Sequence, residues 1–270
     1  MLVKLTVFSL CIILLIVSGL WFFQSKLLFF PTRLEENFLF EFNVQFEEKF
    51  ISYGDKEVIH GLLFKPDQPV GRILYFHGNG GALDSWGYAG AEIAKKLKCD
   101  VLILDYPGYG KSSGSLPKNE KALYESAEAG LKELISGSDS TLPIILYGRS
   151  LGSGVASHLA TTNAVQALIL ETPYESIKEM AAVMVPFAPS FLVRYDLDNA
   201  KNIKELSVPI LIIHGTADSV IPYSQAQRLN RENPKADFVT IEGGGHNDLS
   251  NFSQYWAVVE SFVNRLSAKR

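Results

Sequence analysis

Gly148-Arg149-Ser150-Leu151-Gly152 sets a serine between two glycines, directly after the apolar run Ile144-Ile145-Leu146-Tyr147 and directly before a stretch containing Gly154, Ala156 and Ser157. A serine at a sharp strand-to-helix turn projects its hydroxyl above a sheet, and small flanking residues let the backbone make that turn. The start of the helix that follows adds N–H groups that favour negative charge. These are the conditions for a nucleophilic serine. The plain alternative is a tight turn with an incidental serine.

A serine hydroxyl needs a base. His60 lies in an early strand, and His158 lies more than a helical turn past Ser150. His77 and His214 each end a strand and precede a glycine, a position that suits holding a loop. His246 sits in Gly243-Gly244-Gly245-His246-Asn247-Asp248, a glycine-rich loop after the last strand, from which an imidazole can reach the serine. The base in turn needs a carboxylate. Asp218, in the turn after the apolar run 210–213 and ahead of Pro222, is favoured; Glu171, at the end of the preceding strand, competes for the role. Either preserves the order serine, acid, histidine expected of one hydrolase architecture. Finally, His77-Gly78-Asn79-Gly80-Gly81 lets backbone approach a substrate oxygen, so the N–H groups of Asn79 and Leu151 are candidates to face a developing oxyanion.

Other chemistries fare worse. Gly110-Lys111-Ser112 resembles the end of a phosphate-binding loop, but Asp105 stands where that motif needs glycine. No G-x-G-x-x-G occurs, so a dinucleotide fingerprint is absent. Two cysteines exclude a disulfide framework and a cysteine-based zinc site, and the five histidines form neither HExxH nor HxxxH. No cofactor or metal is expected. With 25 Lys and Arg against 29 Asp and Glu, the net charge is −4, and the absence of a basic cluster disfavours nucleic acid as a partner.

The elements that must position these residues alternate. Two strands at 46–53 and 58–64, joined through Gly54-Asp55, read as an antiparallel hairpin. Strands then follow at 72–77, 101–104, 143–147, 166–170, 209–213 and 238–241. Helices are expected at 84–97, 118–135, 151–160, 222–230 and 254–266. That alternation predicts an α/β fold, a mostly parallel central sheet with helices on both faces. Residues 172–207 are long for a connection and short for a cap domain. Their middle is apolar and interrupted by Pro186 and Pro189, which predicts a short lid in pieces.

The amino terminus differs from the rest. Leu5 to Phe23 contains no charged residue, Lys4 and Lys26 bracket the run, and Trp21, Phe22, Phe23, Phe29 and Phe30 sit at its end. Nineteen helical residues reach about 28 Å, the hydrocarbon thickness of a bilayer. A cleaved signal would carry a small-residue cleavage site, and Trp-Phe-Phe-Gln is none. Residues 1–26 are therefore expected to form a single membrane-spanning anchor and residues 27–270 one catalytic domain, with residues 24–33 as connector. Lys4 with the amino terminus nearly balances Lys26 with Arg33, so the positive-inside rule selects no side.

These blocks, with Asp105-Tyr106-Pro107-Gly108-Tyr109-Gly110, resemble the α/β-hydrolase superfamily over residues 45–270. Within it the chain is similar to single-pass, membrane-anchored serine hydrolases, in which an anchor precedes a segment like Leu27-Leu28-Phe29-Phe30-Pro31. The resemblance implies Ser150 as nucleophile, His246 as general base, Asp218 as its orienter, and Asn79 and Leu151 as oxyanion donors. Its members include lipases, depalmitoylases and peptidases. The first loop departs from the His-Gly-Gly-Gly of many lipases, which bears on the Asn79 assignment. The expected activity is hydrolysis of a carboxylic ester or thioester carrying an apolar acyl group. A membrane-anchored serine peptidase is the alternative, and a non-catalytic anchored scaffold the rival class. Relatives that cleave halides or epoxides carry Asp where this chain has Ser150.

Overall fold

The computed structural model describes residues 2–137, 141–185 and 189–267; within residues 2–16 only the side chains of Lys4, Thr6, Phe8 and Ile12 are described. Helix α1 (Leu2–Leu28) leads into a two-residue strand β1 (Phe30–Pro31) and the hairpin β2 (Phe46–Tyr53) and β3 (Glu57–Phe64). Then follow β4 (Gly71–Phe76), the short β5 (Gly80–Gly81), α2 (Leu83–Leu97), β6 (Cys99–Leu104), α3 (Glu120–Ser136), β7 (Ile144–Arg149), α4 (Leu151–Thr162) and β8 (Ala167–Glu171). The chain continues through α5 (Ile177–Met184), α6 (Asn199–Glu205), β9 (Ile210–Gly215), α7 (Tyr223–Glu232), β10 (Asp237–Ile241) and α8 (Ser253–Ser267).

Eight strands form one sheet in the order β10-β9-β8-β7-β4-β6-β3-β2. The six strands from β10 to β6 run parallel, and β3 and β2 add antiparallel pairing at one edge. Alternate residues of the central strands feed two cores. Leu102 and Leu104 of β6 and Ile144 and Leu146 of β7 pack towards α3, α4 and α7, with Leu123, Leu131, Val155, Leu159 and Leu229. Val101, Ile103, Ile145 and Tyr147 pack towards α2 and α8, with Leu83, Ile93, Val259 and Phe262. Burial on both faces explains why these strands read as continuous apolar runs rather than alternating ones. After β4 the chain moves to β6 on one side, and β7 returns to the other. The crevice beyond the carboxyl ends of β4 and β7 is therefore a topological switch point, where open α/β sheets hold their ligands.

The residues expected as a connector, 24–33, are held against the rest of the chain. Helix α1 runs to Leu28, and its last turns dock on the segment after α5. Gln24 donates to the Leu192 carbonyl (2.5 Å) and accepts from Arg194 N–H (2.8 Å), while the Ser25 and Tyr195 hydroxyls lie 2.8 Å apart. Phe29 is buried, its ring edge-on to Tyr195 at 5.4 Å. Among the described residues no helix is long and apolar enough to cross a membrane. Within the apolar run read as an anchor, the side chains of Leu5, Val7, Ser9, Leu10, Cys11 and residues 13–16 lie outside the described residues.

The expected lid region comprises α5, a 3-10 turn at Ser190–Leu192, and α6. Helix α5 has no buried residue, and Val183, Met184, Val185 and Phe191 are exposed. Pro186 and Phe187 lie outside the described residues.

Candidate active site

Ser150 stands between β7 and α4 with φ 52° and ψ −119°. A non-glycine residue in so rare a conformation costs about 1–3 kcal/mol and persists only where neighbours over-determine it. Here the Ser150 N–H donates to the Glu171 carbonyl and the Ser153 N–H to the Ser150 carbonyl, both at 2.9 Å. The flanking glycines are required by close approach. A Cβ on Gly148 would lie 2.4 Å from the Gly152 oxygen, and one on Gly152 would lie 2.1 Å from the Phe76 oxygen. The small-residue pattern thus lets α4 cross the ends of β7 and β4 in backbone contact, which lifts the hydroxyl into the crevice.

His246 hangs from the loop after β10. Its Nε2 lies 3.1 Å from Ser150 Oγ and its Nδ1 lies 2.7 Å from Asp218 Oδ2. An ionised carboxylate accepts only, so Nδ1 carries the proton and Nε2 is left as the acceptor facing the serine. The other oxygen of Asp218 accepts the Val220 and Ile221 N–H groups, each at 2.8 Å. His214 Nε2 stands 3.2 Å from Oδ2 and 3.0 Å from the Ile221 carbonyl. Burial opposes ionisation of Asp218, but hydrogen bonds from His214, His246 and the Ile221 N–H outweigh it and hold the carboxyl well below the usual carboxylate range. The tight turn after β9 therefore delivers a carboxylate that is both charged and immobile.

Glu171, the competing acid, is engaged elsewhere. Its Oε2 accepts from the Tyr147 hydroxyl at 2.8 Å and the Tyr255 hydroxyl at 3.0 Å, and its Oε1 lies 3.3 Å from Arg149 Nε. The Arg149 guanidinium also donates to the His246 carbonyl and to Asn247 Oδ1, both at 3.0 Å, and lies over the Trp86 ring at 5.0 Å. Sequence reasoning missed this arginine. Its only signal was a long charged residue inside a motif otherwise built of small ones.

The loop between β4 and α2 faces the serine. A Cβ built on Gly78 would lie 3.7 Å from Ser150 Cβ. His77 Nδ1 donates to the Gly78 carbonyl at 2.6 Å. Because a trans peptide holds C=O and N–H antiparallel, that bond fixes the direction of the Asn79 N–H. Burial pushes the His77 imidazole down to about 4, against the opposing effect of the Gly78 carbonyl, so the ring is neutral at neutral pH. Leu151 opens α4, and its N–H has no acceptor within the helix. Asp105 supports the loop from behind, its Oδ1 accepting the Leu83 N–H at 3.1 Å where α2 lacks a side-chain cap.

The remaining histidines are occupied apart from this site. His60 is buried with Nε2 3.1 Å from Glu48 and Nδ1 3.4 Å from Asp105, and His158 stacks on Tyr124 with ring centres 3.5 Å apart. A surface groove lined by Tyr53, Tyr124, Glu128, Lys132 and His158 shares no residue with the Ser150 constellation. Among the described residues, no group of three or more His, Cys, Asp or Glu is placed to hold a metal ion.

Comparison with known proteins adds to this geometry. Residues 70–254 match the family model described as an alpha/beta hydrolase domain. The chain is 30% identical to the protein bem46 of Schizosaccharomyces pombe, covering 94% of this chain and 90% of that one. It is 29% identical to the alpha/beta hydrolase domain-containing protein WAV2 of Arabidopsis thaliana, over 92% and 90%. Alpha/beta hydrolase domain-containing protein 17C of Xenopus tropicalis is 33% identical over 76% of this chain and 66% of its own. Among solved structures, an esterase of Pyrococcus furiosus superposes with a TM-score of 0.71 at 17% identity, covering 88% of this chain and 99% of that one. At that identity the likeness concerns the fold.

Proposed function

From a chain that belongs to the α/β-hydrolase domain family, we propose a serine hydrolase that cleaves a carboxylic ester or thioester with an apolar acyl group. One observation carries the reading: a strained Ser150 whose hydroxyl lies 3.1 Å from His246 Nε2, while His246 Nδ1 lies 2.7 Å from the buried Asp218.

In this mechanism Ser150 Oγ attacks the acyl carbon as His246 Nε2 takes the hydroxyl proton. The carbonyl oxygen becomes an oxyanion towards the N–H groups of Asn79 and Leu151. His246 then gives its proton to the leaving oxygen or sulfur as the acyl bond breaks, which leaves an acyl-Ser150 ester. Water attacks that ester, His246 taking a proton from the water and returning it to Ser150 Oγ as the carboxylic acid departs. Asp218 keeps its charge throughout and stabilises the imidazolium that forms twice per turnover.

The exposed apolar residues of the lid, Val183, Met184, Val185 and Phe191, support an apolar acyl group. The uncharged run Leu5 to Phe23 supports an amino-terminal membrane anchor, which predicts that the full chain stays in the membrane pellet through a carbonate wash.

A fluorophosphonate probe tests the chemistry. The wild type should label and hydrolyse esters, and Ser150→Ala should do neither. A folded wild type that stays unlabelled overturns the hydrolase in favour of a scaffold, and a preference for aminoacyl amides over esters overturns it in favour of a peptidase.

A further inference from the structure

Resting on the hydrolase reading above, we propose that residues 29–34, the continuation of helix α1, clamp the oxyanion loop, and that Phe30 and Tyr109 are positioning residues for the Asn79 donor.

The loop from His77 to Gly81 is held carbonyl by carbonyl. Tyr106 donates its hydroxyl to the His77 oxygen, Tyr109 to the Asn79 oxygen and Trp86 Nε1 to the Gly80 oxygen, each at 2.6 Å. Thr32 N–H donates to the Gly81 oxygen at 3.0 Å. Strand β1 meets the same loop one residue beyond Asn79, with Phe30 paired to Gly80. The peptide that follows Asn79 is therefore held by the Tyr109 hydroxyl on its carbonyl and by the Phe30–Gly80 pairing beside it, while the peptide that precedes it is fixed by His77. Asn79 has its N–H direction set from both sides, and one of those sides belongs to the amino-terminal segment.

Among the described residues strand β1 pairs only with β5, Phe30 with Gly80 and Pro31 with Gly81, in a sheet separate from the main one. Two paired residues do not hold by themselves in water. They are secured on one side by the buried Phe29 against Tyr195. On the other side, Gly110 N–H donates to the Thr32 carbonyl at 2.8 Å and Leu34 N–H to the Gly110 carbonyl at 3.1 Å. Arg33 adds a bond to the Ser112 carbonyl at 2.8 Å. Gly110 is the only residue type that fits this crossing, since it has φ 45° and a Cβ there would lie 1.9 Å from Asp105 Oδ2. A segment that merely linked a helix to a domain would need none of these contacts. A segment that shapes a loop of catalytic backbone donors needs all of them, because a donor is effective only when its direction is fixed before charge develops.

The test uses the full chain in detergent. Tyr109→Phe keeps the ring and removes the hydroxyl. Phe29→Ala removes the anchor of the clamp, and Phe29→Leu restores most of its bulk. On a short acyl ester, Tyr109→Phe and Phe29→Ala should each lower kcat about tenfold, less than the loss of an oxyanion donor itself. KM and the pH midpoint of kcat should stay unchanged, and Phe29→Leu should recover the rate. Amide hydrogen exchange at Thr32 and Gly110 should speed up about tenfold in Phe29→Ala while the amides of β7 and β8 stay protected. Wild-type kcat in both variants, with Ser150→Ala inactive, overturns the positioning role and leaves the hydrolase standing. Unchanged exchange at Thr32 in Phe29→Ala overturns the clamp whatever the rates. A wild type that neither hydrolyses nor labels overturns the hydrolase reading together with the catalytic role assigned here, and exchange at Thr32 still decides the clamp.

Discussion

Arg149 Nη2 lies 3.0 Å from the carbonyl oxygen of His246, so the residue before Ser150 also holds the His246 loop. The guanidinium spans two further partners, Asn247 Oδ1 on that loop and Glu171 at the end of β8. The glycines at 243–245 would otherwise leave the imidazole free to swing, and a misplacement of about 1 Å costs on the order of 100-fold in rate. Lysine keeps the charge but cannot reproduce a planar fork with several fixed donors. We expect Arg149→Lys to lower kcat about 10- to 100-fold, with a smaller change in KM. Steady-state kinetics beside a thermal melt checks this: a variant that melts like the wild type and keeps its kcat removes Arg149 from the positioning of His246.

The two carboxylates near the site should separate cleanly. Asp218 meets His246 Nδ1 at 2.7 Å, whereas Glu171 spends its oxygens on Tyr147, Tyr255 and Arg149. Asp218→Asn should cost on the order of 10⁴-fold in kcat, because an amide cannot hold the imidazole in the required tautomer or stabilise its charged form. Glu171→Gln should cost far less in kcat and show more in the melting temperature, since it neutralises a buried group between two tyrosines and an arginine. The opposite ranking in folded variants would assign the acid to Glu171.

Why Asp218 could be favoured over Glu171 from sequence, but not established there, follows from what each depends on. The run at 144–147, the glycines around Ser150 and the turn before Pro222 are local, and local sterics make them readable. Strand positions along β3, β4 and β7 likewise follow from apolar runs of strand length, and β2 follows from the hairpin turn at Gly54-Asp55. Whether a carboxylate at the end of β8 points towards His246 depends on Tyr147 and Tyr255, the second of them 84 residues away from Glu171. Arg149 was invisible for the same reason, since its partners on the His246 loop lie 97 and 98 positions downstream. The docking of Gln24 and Ser25 on Leu192 and Tyr195 spans up to 170 positions and rests on side chains that carry no pattern. A two-residue strand such as Phe30–Pro31 has no periodicity to detect.

His77 predicts a pH dependence of stability. Its folded value is pushed down to about 4 by burial, against about 6.5 for an exposed histidine. The unfolded chain therefore takes up a proton that the folded chain refuses. The stability this contributes is complete above about pH 6.5 and is lost as pH falls towards 4. Between those limits the wild type should lose stability with a slope approaching one proton more than His77→Gln, read from urea unfolding at several pH values. Equal slopes would show that His77 is already protonated, or already exposed, in the folded state.

The lid should be read out by acyl chain length. Met184 and Phe191 are about three-quarters exposed, at 76% and 77%. Tyr174, at the root of the lid, donates its hydroxyl to the Leu151 carbonyl at 3.2 Å, and Gly154 has no Cβ where one would lie 2.8 Å from Leu197 Cβ. The segment 172–207 is thus seated on the first turns of α4, beside Ser150. Large apolar side chains left in solvent there gain if an acyl chain covers them, by about 0.8 kcal/mol for each CH₂ buried. That converts to a rise in kcat/KM of about fourfold per CH₂ until the apolar surface is used up. Met184→Ala and Phe191→Ala should flatten this rise while leaving turnover of an acetyl ester nearly unchanged, because both side chains stand in solvent. A panel of esters from acetyl to palmitoyl, assayed in detergent with all three chains, makes the comparison. A wild type that cleaves every length equally would remove the acyl group from the lid and return the exposed apolar residues to another surface role.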